Sequence, residues 1–309
     1  DRDVAPGGPG LVLMGGSREV DEAFEWWRPR IAGGDVVILR TSGSDGYNDY
    51  LYSEIGGPDS VETMLVTDRA LASDPYVAWR VRTAEGIFFA GGDQSTYLNA
   101  WKDTPLEDAV MEAWTRGAIV GGTSAGLAIL SDQVFAAYAG SIGSAEALDD
   151  PFHPRLTLEP DFLALGPLAN VITDSHFAER DRMGRLVTFV ARWFEDGATG
   201  PMLGLGFDER TAMVVDEAGR GTVLGRGAVY VVYGARPAER CEPGAPLDYR
   251  DIAYATLRDG DTLMLPSGVT NVATATLTSA IITPAMPMLR SAGTGRTSSA
   301  SNEIATVDP

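Results

Sequence analysis

The sequence predicts an α/β fold built on a parallel β-sheet, with β hairpins added toward the C-terminus. Three observations lead there. Short apolar runs alternate with stretches of helical periodicity over residues 10–197. Several of those runs end in glycine pairs, as strands do where the chain must turn sharply. Beyond them, closely spaced strand-like segments replace the helical patterns.

The elements follow in order. "GLVLMGG" is a buried first strand ending in glycines, and "EVDEAFEWWRPRI" after it is a helix. "DVVILRTSG" is a second strand, "SVETMLVT" a third and "GIFFAGGDQ" a fourth, with the amphipathic stretch "DPYVAWRVRTAE" ahead of the fourth. "TPLEDAVMEAWTRG" has a well-marked helix start, with Thr104 at the N-cap, Pro105 at the first helical position and Glu107 completing a capping box. Gly117 closes that helix, and "AIVGGTSAG" is the central strand that delivers Ser124. "ANVITDSHF" is another strand, and "RMGRLVTFVARWFEDG" has the apolar spacing of a helix packed on the sheet. "MLGLGFDERTAMVVD", "GTVLGRGAVYVVYG" and "DTLMLPSG" read as hairpins and strands.

At 309 residues and 44% hydrophobic, the chain can bury a full core. With no internal repeat and no clear linker, one domain over residues 1–289 is expected, followed by a Ser/Thr/Gly-rich extension over 290–309. The net charge of −19, from 24 basic and 43 acidic side chains, repels nucleic acid and anionic membranes and attracts cationic substrates. Residues 263–289 carry no charge, yet their prolines, serines and threonines argue for β structure and loops, and no apolar run reaches membrane-spanning length. Cys241 stands alone, which excludes an intramolecular disulfide and a thiolate metal site; no metal or cofactor is expected. The opening "DRDVAPGGPG" lacks a Met, which fits a secreted or periplasmic chain after signal removal as well as a trimmed cytoplasmic one.

In an open α/β sheet, ligands gather outside the carboxyl ends of the strands. Here that edge collects Gly91-Gly92-Asp93-Gln94, Ser124, Asp174-Ser175-His176 and Asp208-Glu209. In "GGTSAGLAIL" the small residues around Ser124 let the backbone turn tightly and leave the hydroxyl uncovered, as a nucleophile elbow requires. A plain strand-to-helix turn with a serine near the N-cap uses the same residue types, so catalysis also needs a base, an orienting acid and an oxyanion hole.

Only two histidines are available. His153, between prolines in "DPFHPRL", reads as a loop residue, whereas His176 ends the apolar run "VITDSH" at the ligand edge and is the candidate base. Glu209 is the first choice of orienting acid; Asp208, Asp174 and Glu146 are competitors that spacing alone does not exclude. The Ala125 amide, just after the nucleophile, supplies one oxyanion donor, and Gly92 in "GGDQ" is the candidate for the second. In "HFAERDRMGRL", Arg180, Arg182 and Arg185 crowd a helix start, where cations oppose the helix dipole. Such an arrangement beside a candidate base points to an anionic ligand, most simply a substrate carboxylate held by a guanidinium fork.

Together, "FAGGDQ", "GGTSAGLAIL", "ITDSHFAERDRMGRL" and "LGFDERTA", spread over residues 88–213, resemble the cyanophycinase and aspartyl dipeptidase family of serine peptidases. "MGGSREVDEAF" extends the similarity toward the N-terminus. The resemblance implies a three-layer parallel-sheet sandwich of the class I glutamine-amidotransferase type, flavodoxin-like in layout. It implies Ser124 as nucleophile, His176 as base, Glu209 as orienting acid, and the Gly92 and Ala125 amides at the oxyanion. It makes Gln94, Asp174, Ser175, Arg180, Arg182 and Arg185 the pocket for an aspartyl unit.

The substrate it implies is cyanophycin, a polyaspartate with arginine on each β-carboxyl, cleaved to β-Asp-Arg dipeptides. Alternatives are a dipeptidase for α- or isoaspartyl dipeptides and an inactive aspartyl-binding homologue. A class I amidotransferase would need a cysteine at the elbow, and Cys241 lies far from it. Two departures bear on substrate choice: Ser175 stands at a position that varies in the family, and "FAAYAGSIGSAEALDDPFHPRL" is longer and less polar than in its intracellular members. The expected partners are the peptide substrate and a second copy in a homodimer, with no nucleic acid and no membrane.

Overall fold

Apolar runs too short for helices make the parallel part of the first sheet, most of them buried on both faces. In the computed structural model, which describes residues 6–277, they are β1 (Gly10–Met14), β2 (Asp35–Arg40), β3 (Ser60–Leu65), β4 (Gly86–Phe89) and β5 (Ile119–Thr123). They lie parallel in the order β1-β5-β4-β2-β3. Helix α1 (Asp21–Ile31) joins β1 to β2, and α2 (Gly46–Asp49) precedes β3. Next come α3 (Arg69–Ala72) and α4 (Pro75–Thr83), then α5 (Gln94–Trp101) and α6 (Pro105–Arg116) between β4 and β5.

The helix boundaries follow local chemistry. Asp74 accepts the Tyr76 amide at 2.7 Å with Pro75 in the first turn, so α4 starts there. Gly117, in the left-handed region at φ 103°, ends α6 as expected. The capping box at the start of α6 does not form. A tight turn out of α5, with Asp103 at φ 56°, turns the Thr104 hydroxyl to the Trp101 carbonyl. Glu107 then takes the Asp103 amide at 2.6 Å, one residue earlier than a capping box requires.

After β5 the short α7 (Ala125–Ala128) leads into a second sheet. Its members are β6 (Gln133–Phe135), β7 (Leu158–Pro160), β8 (Val171–Asp174) and β9 (Met202–Phe207), with α8 (Ser144–Asp149) and α9 (Met183–Glu195) between them. The chain then alternates between sheets. β10 (Thr211–Val215), β11 (Arg220–Gly225), β14 (Thr262–Met264) and β15 (Val269–Thr270) extend the first sheet. β12 (Val229–Gly234), β13 (Ile252–Leu257) and β16 (Ala275–Leu277) extend the second.

Two expectations are corrected here. "VITD" is not a strand of the first sheet: β8 pairs with β9 and β6 in the second. "MLGLGFDERTAMVVD" and "GTVLGRGAVYVVYG" are not hairpins either. β9 pairs with β8 and β12, whereas β10 pairs with β1 and β11. Alternation of apolar residues is the same whichever sheet a strand joins, so the local pattern carried no information on that choice.

The sheets pack through alternating faces. Leu11, Leu13 and Val120 of the first sheet share one core with Leu205, Phe207 and Val231 of the second, and with Val81, Trp101 and Val110 of α4, α5 and α6. The opposite face of the first sheet, with Val12 and Ile38, is covered by Phe24, Trp27 and Ile31 of α1. The outer face of the second, with Ile172 and Val232, is covered by Leu186, Phe189 and Val190 of α9. Each large apolar side chain so buried contributes roughly 1.5–3 kcal/mol. The carboxyl ends of β5 and β8, one from each sheet, therefore meet across a shared core, and the site forms where they meet. The extension expected over 290–309 lies outside the described residues.

Candidate active site

Ser124 sits between the end of β5 and the start of α7 with φ 55° and ψ −116°, a backbone that residues other than glycine rarely adopt. Such a conformation costs on the order of 1–3 kcal/mol and persists only where surroundings enforce it. Here the Ser124 amide donates to Met14 O at 3.1 Å and its carbonyl accepts from Ala128 N at 3.1 Å. Gly126 allows the close approach, since a Cβ there would stand 2.1 Å from the Phe89 carbonyl oxygen. The small residues of "GGTSAG" are thus needed to bring the elbow hard against β4.

His176 follows β8 and is also in the left-handed region, at φ 45°. Its amide donates to Gly15 O at 2.9 Å, and its side chain is buried. Nε2 lies 2.8 Å from Ser124 Oγ, and Nδ1 lies 2.7 Å from Glu209 Oε1. An ionised Glu209 can only accept, so Nδ1 carries the ring proton and Nε2 presents its lone pair to the serine hydroxyl.

The competing acids are engaged elsewhere. Asp208 accepts the Ala178 and Ala228 amides at 2.9 and 3.0 Å, pinning the loop after His176 to the turn before β12. Glu146 pairs with Arg155 and with the Gly143 amide at the start of α8. Asp174 holds arginines. Glu209 is the carboxylate that reaches the imidazole.

Burial pulls the His176 pKa below the ordinary histidine value of 6.5; the hydrogen bond to Glu209 opposes this, and the nearby cations Arg180 and Arg182 add to the lowering. Glu209 is held below the usual carboxylate range, chiefly by its bond to His176. The imidazole is therefore neutral and free to accept a proton at neutral pH. A His176 that acts as base works only in that form, so under that assignment kcat/KM on a peptide substrate should rise from acid with a midpoint below 6.5 and stay level through neutrality. A pH–rate profile whose acid limb lies above 6.5 contradicts this assignment.

A cleft of about 260 Å³ opens in front of the serine. Of the residues expected at the site, Gly92, Gln94, Ser124, Ala125, Asp174, Ser175, His176, Arg180 and Arg182 line it. Glu209 stands behind His176, away from the cleft lining. Gln94 opens α5, and its Nε2 donates to Phe135 O at 3.3 Å across the cleft.

The three arginines do not act alike. Arg185 does not line the cleft, which corrects its expected place in the substrate pocket. It is buried and forked onto Asp174, Nε to Oδ2 at 2.6 Å and Nη2 to Oδ1 at 2.5 Å. Its Nη1 donates to Ser141 Oγ and to the Ile142 carbonyl, each at 3.1 Å. Four of its five N–H donors are spent on these partners, so it braces the wall. Asp174, expected to touch substrate, spends both carboxylate oxygens on these guanidinium groups.

Arg182 is buried too but faces the cleft, its Nη1 on Asp174 Oδ1 at 3.1 Å and on the Ser175 carbonyl at 2.7 Å. Burial pulls it down to about 10, with the neighbouring arginines adding to the fall, so it stays charged at working pH. Two guanidinium groups thus share one carboxylate at the floor of the cleft. Arg180 is exposed at the rim. The outcome is a site that favours an anion.

Sequence reasoning missed the far wall, formed by Phe135, Ala137, Gly140 and Ser141. Its signal was the unusually long, apolar "FAAYAGSIG" segment. His153 lies away from the cleft, its Nδ1 accepting the Arg155 amide at 3.1 Å within a turn. Cys241 is buried, which pushes its thiol up to about 12. Among the described residues no cluster of three or more His, Cys, Asp or Glu could hold a metal ion, and no helix is long and apolar enough to cross a membrane.

Comparison with known proteins gives this geometry a family. A solved peptidase from an acI-B1 Actinobacterium superposes with a TM-score of 0.59 at 18% identity, covering 84% of this chain and 97% of that one, a likeness of fold. Cyanophycinase of Synechococcus elongatus is 33% identical over 220 residues, 70% of this chain, and the match spans 63% of that relative's length. Cyanophycinase of Trichormus variabilis is 31% identical over 216 residues, covering 68% of this chain and 67% of the relative. The family model for Peptidase family S51 matches residues 61–219. The chain belongs to peptidase family S51.

Proposed function

We propose that this chain is a serine exopeptidase that cleaves after aspartyl units, with cyanophycin as its substrate. The observation that carries the reading is the hydrogen-bonded series Ser124–His176–Glu209, set on a strained elbow and opening into a cleft floored by Arg182. Ser124 Oγ attacks the scissile carbonyl while His176 Nε2 takes its proton; Glu209 stabilises the imidazolium. The Gly92 and Ala125 amides receive the oxyanion. His176 then protonates the leaving amine, and water, activated by the same base, hydrolyses the seryl ester.

Arg182, with Arg180 at the rim, anchors the aspartyl carboxylate, while Gln94 and Ser175 fix its orientation. The acidic surface of the molecule suits the guanidinium groups of cyanophycin. The relatives named cyanophycinase support this substrate.

The strand order supports a fold of the glutamine-amidotransferase type. β3-β2-β4-β5 repeats the start of the flavodoxin-like order 2-1-3-4-5, with β1 taking the fifth place. The core shared by both sheets supports one peptidase domain over the described residues 6–277, and a homodimer is the assembly we infer.

The direct test is mass spectrometry of products after incubation with insoluble cyanophycin. Release of β-Asp-Arg dipeptides is expected. Untouched granules with hydrolysis of soluble isoaspartyl dipeptides would replace cyanophycin by the dipeptide reading, and failure to react with a serine-directed phosphonate would favour an inactive binding protein.

The split among the arginines gives a sharper test. A charge-assisted hydrogen bond contributes about 1.5–3 kcal/mol, so Arg182→Ala should lower kcat/KM roughly ten- to a hundredfold. Lysine should restore only part of this, since it lacks the planar fork. Labelling of Ser124 by a small uncharged phosphonate should survive Arg182→Ala, because that reaction needs no carboxylate anchor. Arg185→Ala should instead lower the melting temperature and the labelling rate together, since it unties Asp174 from the cleft wall. Identical behaviour of the two variants would remove the distinction.

A further inference from the structure

The turn that leaves β1, Met14–Ser17, touches every member of the Ser124–His176–Glu209 series. The Met14 carbonyl accepts the Ser124 amide at 3.1 Å and the Gly15 carbonyl accepts the His176 amide at 2.9 Å. The Gly16 carbonyl accepts the amide of Arg210, next to Glu209, at 3.0 Å, and the Ser17 hydroxyl lies close enough to the Glu209 carboxylate to help lower its pKa. Nucleophile, base and acid come from three distant stretches of chain and from both sheets, yet their backbones are registered against one strand end.

Gly16 is the tightest point of that turn. Its φ is +105°, and a Cβ there would lie 2.6 Å from both Cε1 and Nε2 of His176 and 3.2 Å from Ser124 Cβ. The atoms in the way are the reacting edge of the imidazole. They belong to a side chain that can rotate toward the cleft, so the ring gives way to a methyl group, while the positive φ adds a backbone strain of its own.

We propose that Gly16 is a positioning residue for acyl transfer: its lack of a side chain leaves the space in which the His176 imidazole closes on Ser124 Oγ. The role rests on the triad assigned above. As the bond from Oγ to the substrate carbonyl forms, the Oγ–H bond breaks and its proton passes to His176 Nε2; with the ring displaced, that acceptor is gone. Arg182 is held from the Asp174 side, so substrate binding does not depend on Gly16.

The test is Gly16→Ala, measured by steady-state kinetics on an aspartyl peptide. Loss of the positioned base should lower kcat roughly a hundredfold or more, with KM little changed. The His176 ring signal, identified by NMR in a His153→Ala background, should titrate at higher pH than in the parent. The sign follows from burial being the largest cause of its lowered pKa, since the displaced ring regains solvent.

A folded Gly16→Ala protein with parental kcat and parental His176 titration overturns the proposal. If Gly16→Ala does not fold, the double variant Gly16→Ala/His176→Ala decides, because removing the ring makes room for the methyl group. Recovery of folding supports the proposal; a double variant that also fails to fold shows that the positive φ of the turn, and not the space for the ring, is what requires glycine there, and overturns it. The underlying reading fails separately: active Ser124→Ala or His176→Ala proteins overturn the triad, and this inference with it. Inactive ones beside a fully active Gly16→Ala overturn this inference alone.

Discussion

Ser124→Ala is expected to lower kcat/KM on an aspartyl peptide by on the order of a thousandfold or more while leaving the melting temperature nearly unchanged. The chemical reason, on the proposed mechanism, is that among the described residues Ser124 Oγ is the hydroxyl held 2.8 Å from His176 Nε2. The stability argument is separate. The elbow is held by backbone bonds, from Ser124 N to Met14 O and from Ala128 N to Ser124 O, and alanine keeps both. Alanine also tolerates the positive φ no worse than serine does. Purified Ser124→Ala that retains more than a few per cent of the parental turnover, with its fold verified by circular dichroism, removes Ser124 from the mechanism.

His176→Ala should be about as damaging as Ser124→Ala, and the double variant scarcely worse than either. A nucleophile and its base act as one unit, so their losses do not add. His153→Ala serves as the control and should be nearly silent, because its ring caps a turn through Arg155 N and does not line the cleft. Kinetics of all four proteins on one substrate settle the matter. Additive losses would mean that Ser124 and His176 contribute through separate steps, and an inactive His153→Ala beside an active His176→Ala would reverse the choice of base.

The buried arginines show how the same chemistry yields two roles. Arg185 gives four of its five donors to Asp174, Ser141 and Ile142, so its charge is spent on holding the wall. Arg182 reaches Asp174 through one nitrogen only and faces the cleft. Three arginines within six positions of one sequence segment look equivalent until the wall loop and Asp174 are seen around them.

The sequence by itself determined the first-sheet strands β1 to β5, the helices α1, α6 and α9, and the segments from which the site is built. Those features are local: apolar run length, helical spacing, Pro105 and Gly117 at the ends of α6, and small residues where Ser124 must turn. It also singled out His176 over His153, because only His176 ends an apolar run. Tertiary structure alone decided which sheet each later strand joins, since apolar alternation is indifferent to its pairing partner. It alone separated Glu209 from Asp208 and Asp174, because a carboxylate's role depends on whether amides, guanidinium groups or an imidazole reach it first. It alone exposed Gly16, whose importance lies in the 2.6 Å between an absent methyl group and the ring of His176, a residue 160 positions away in the chain. Contacts across such separations are set by how two sheets pack, and no window of sequence contains both partners.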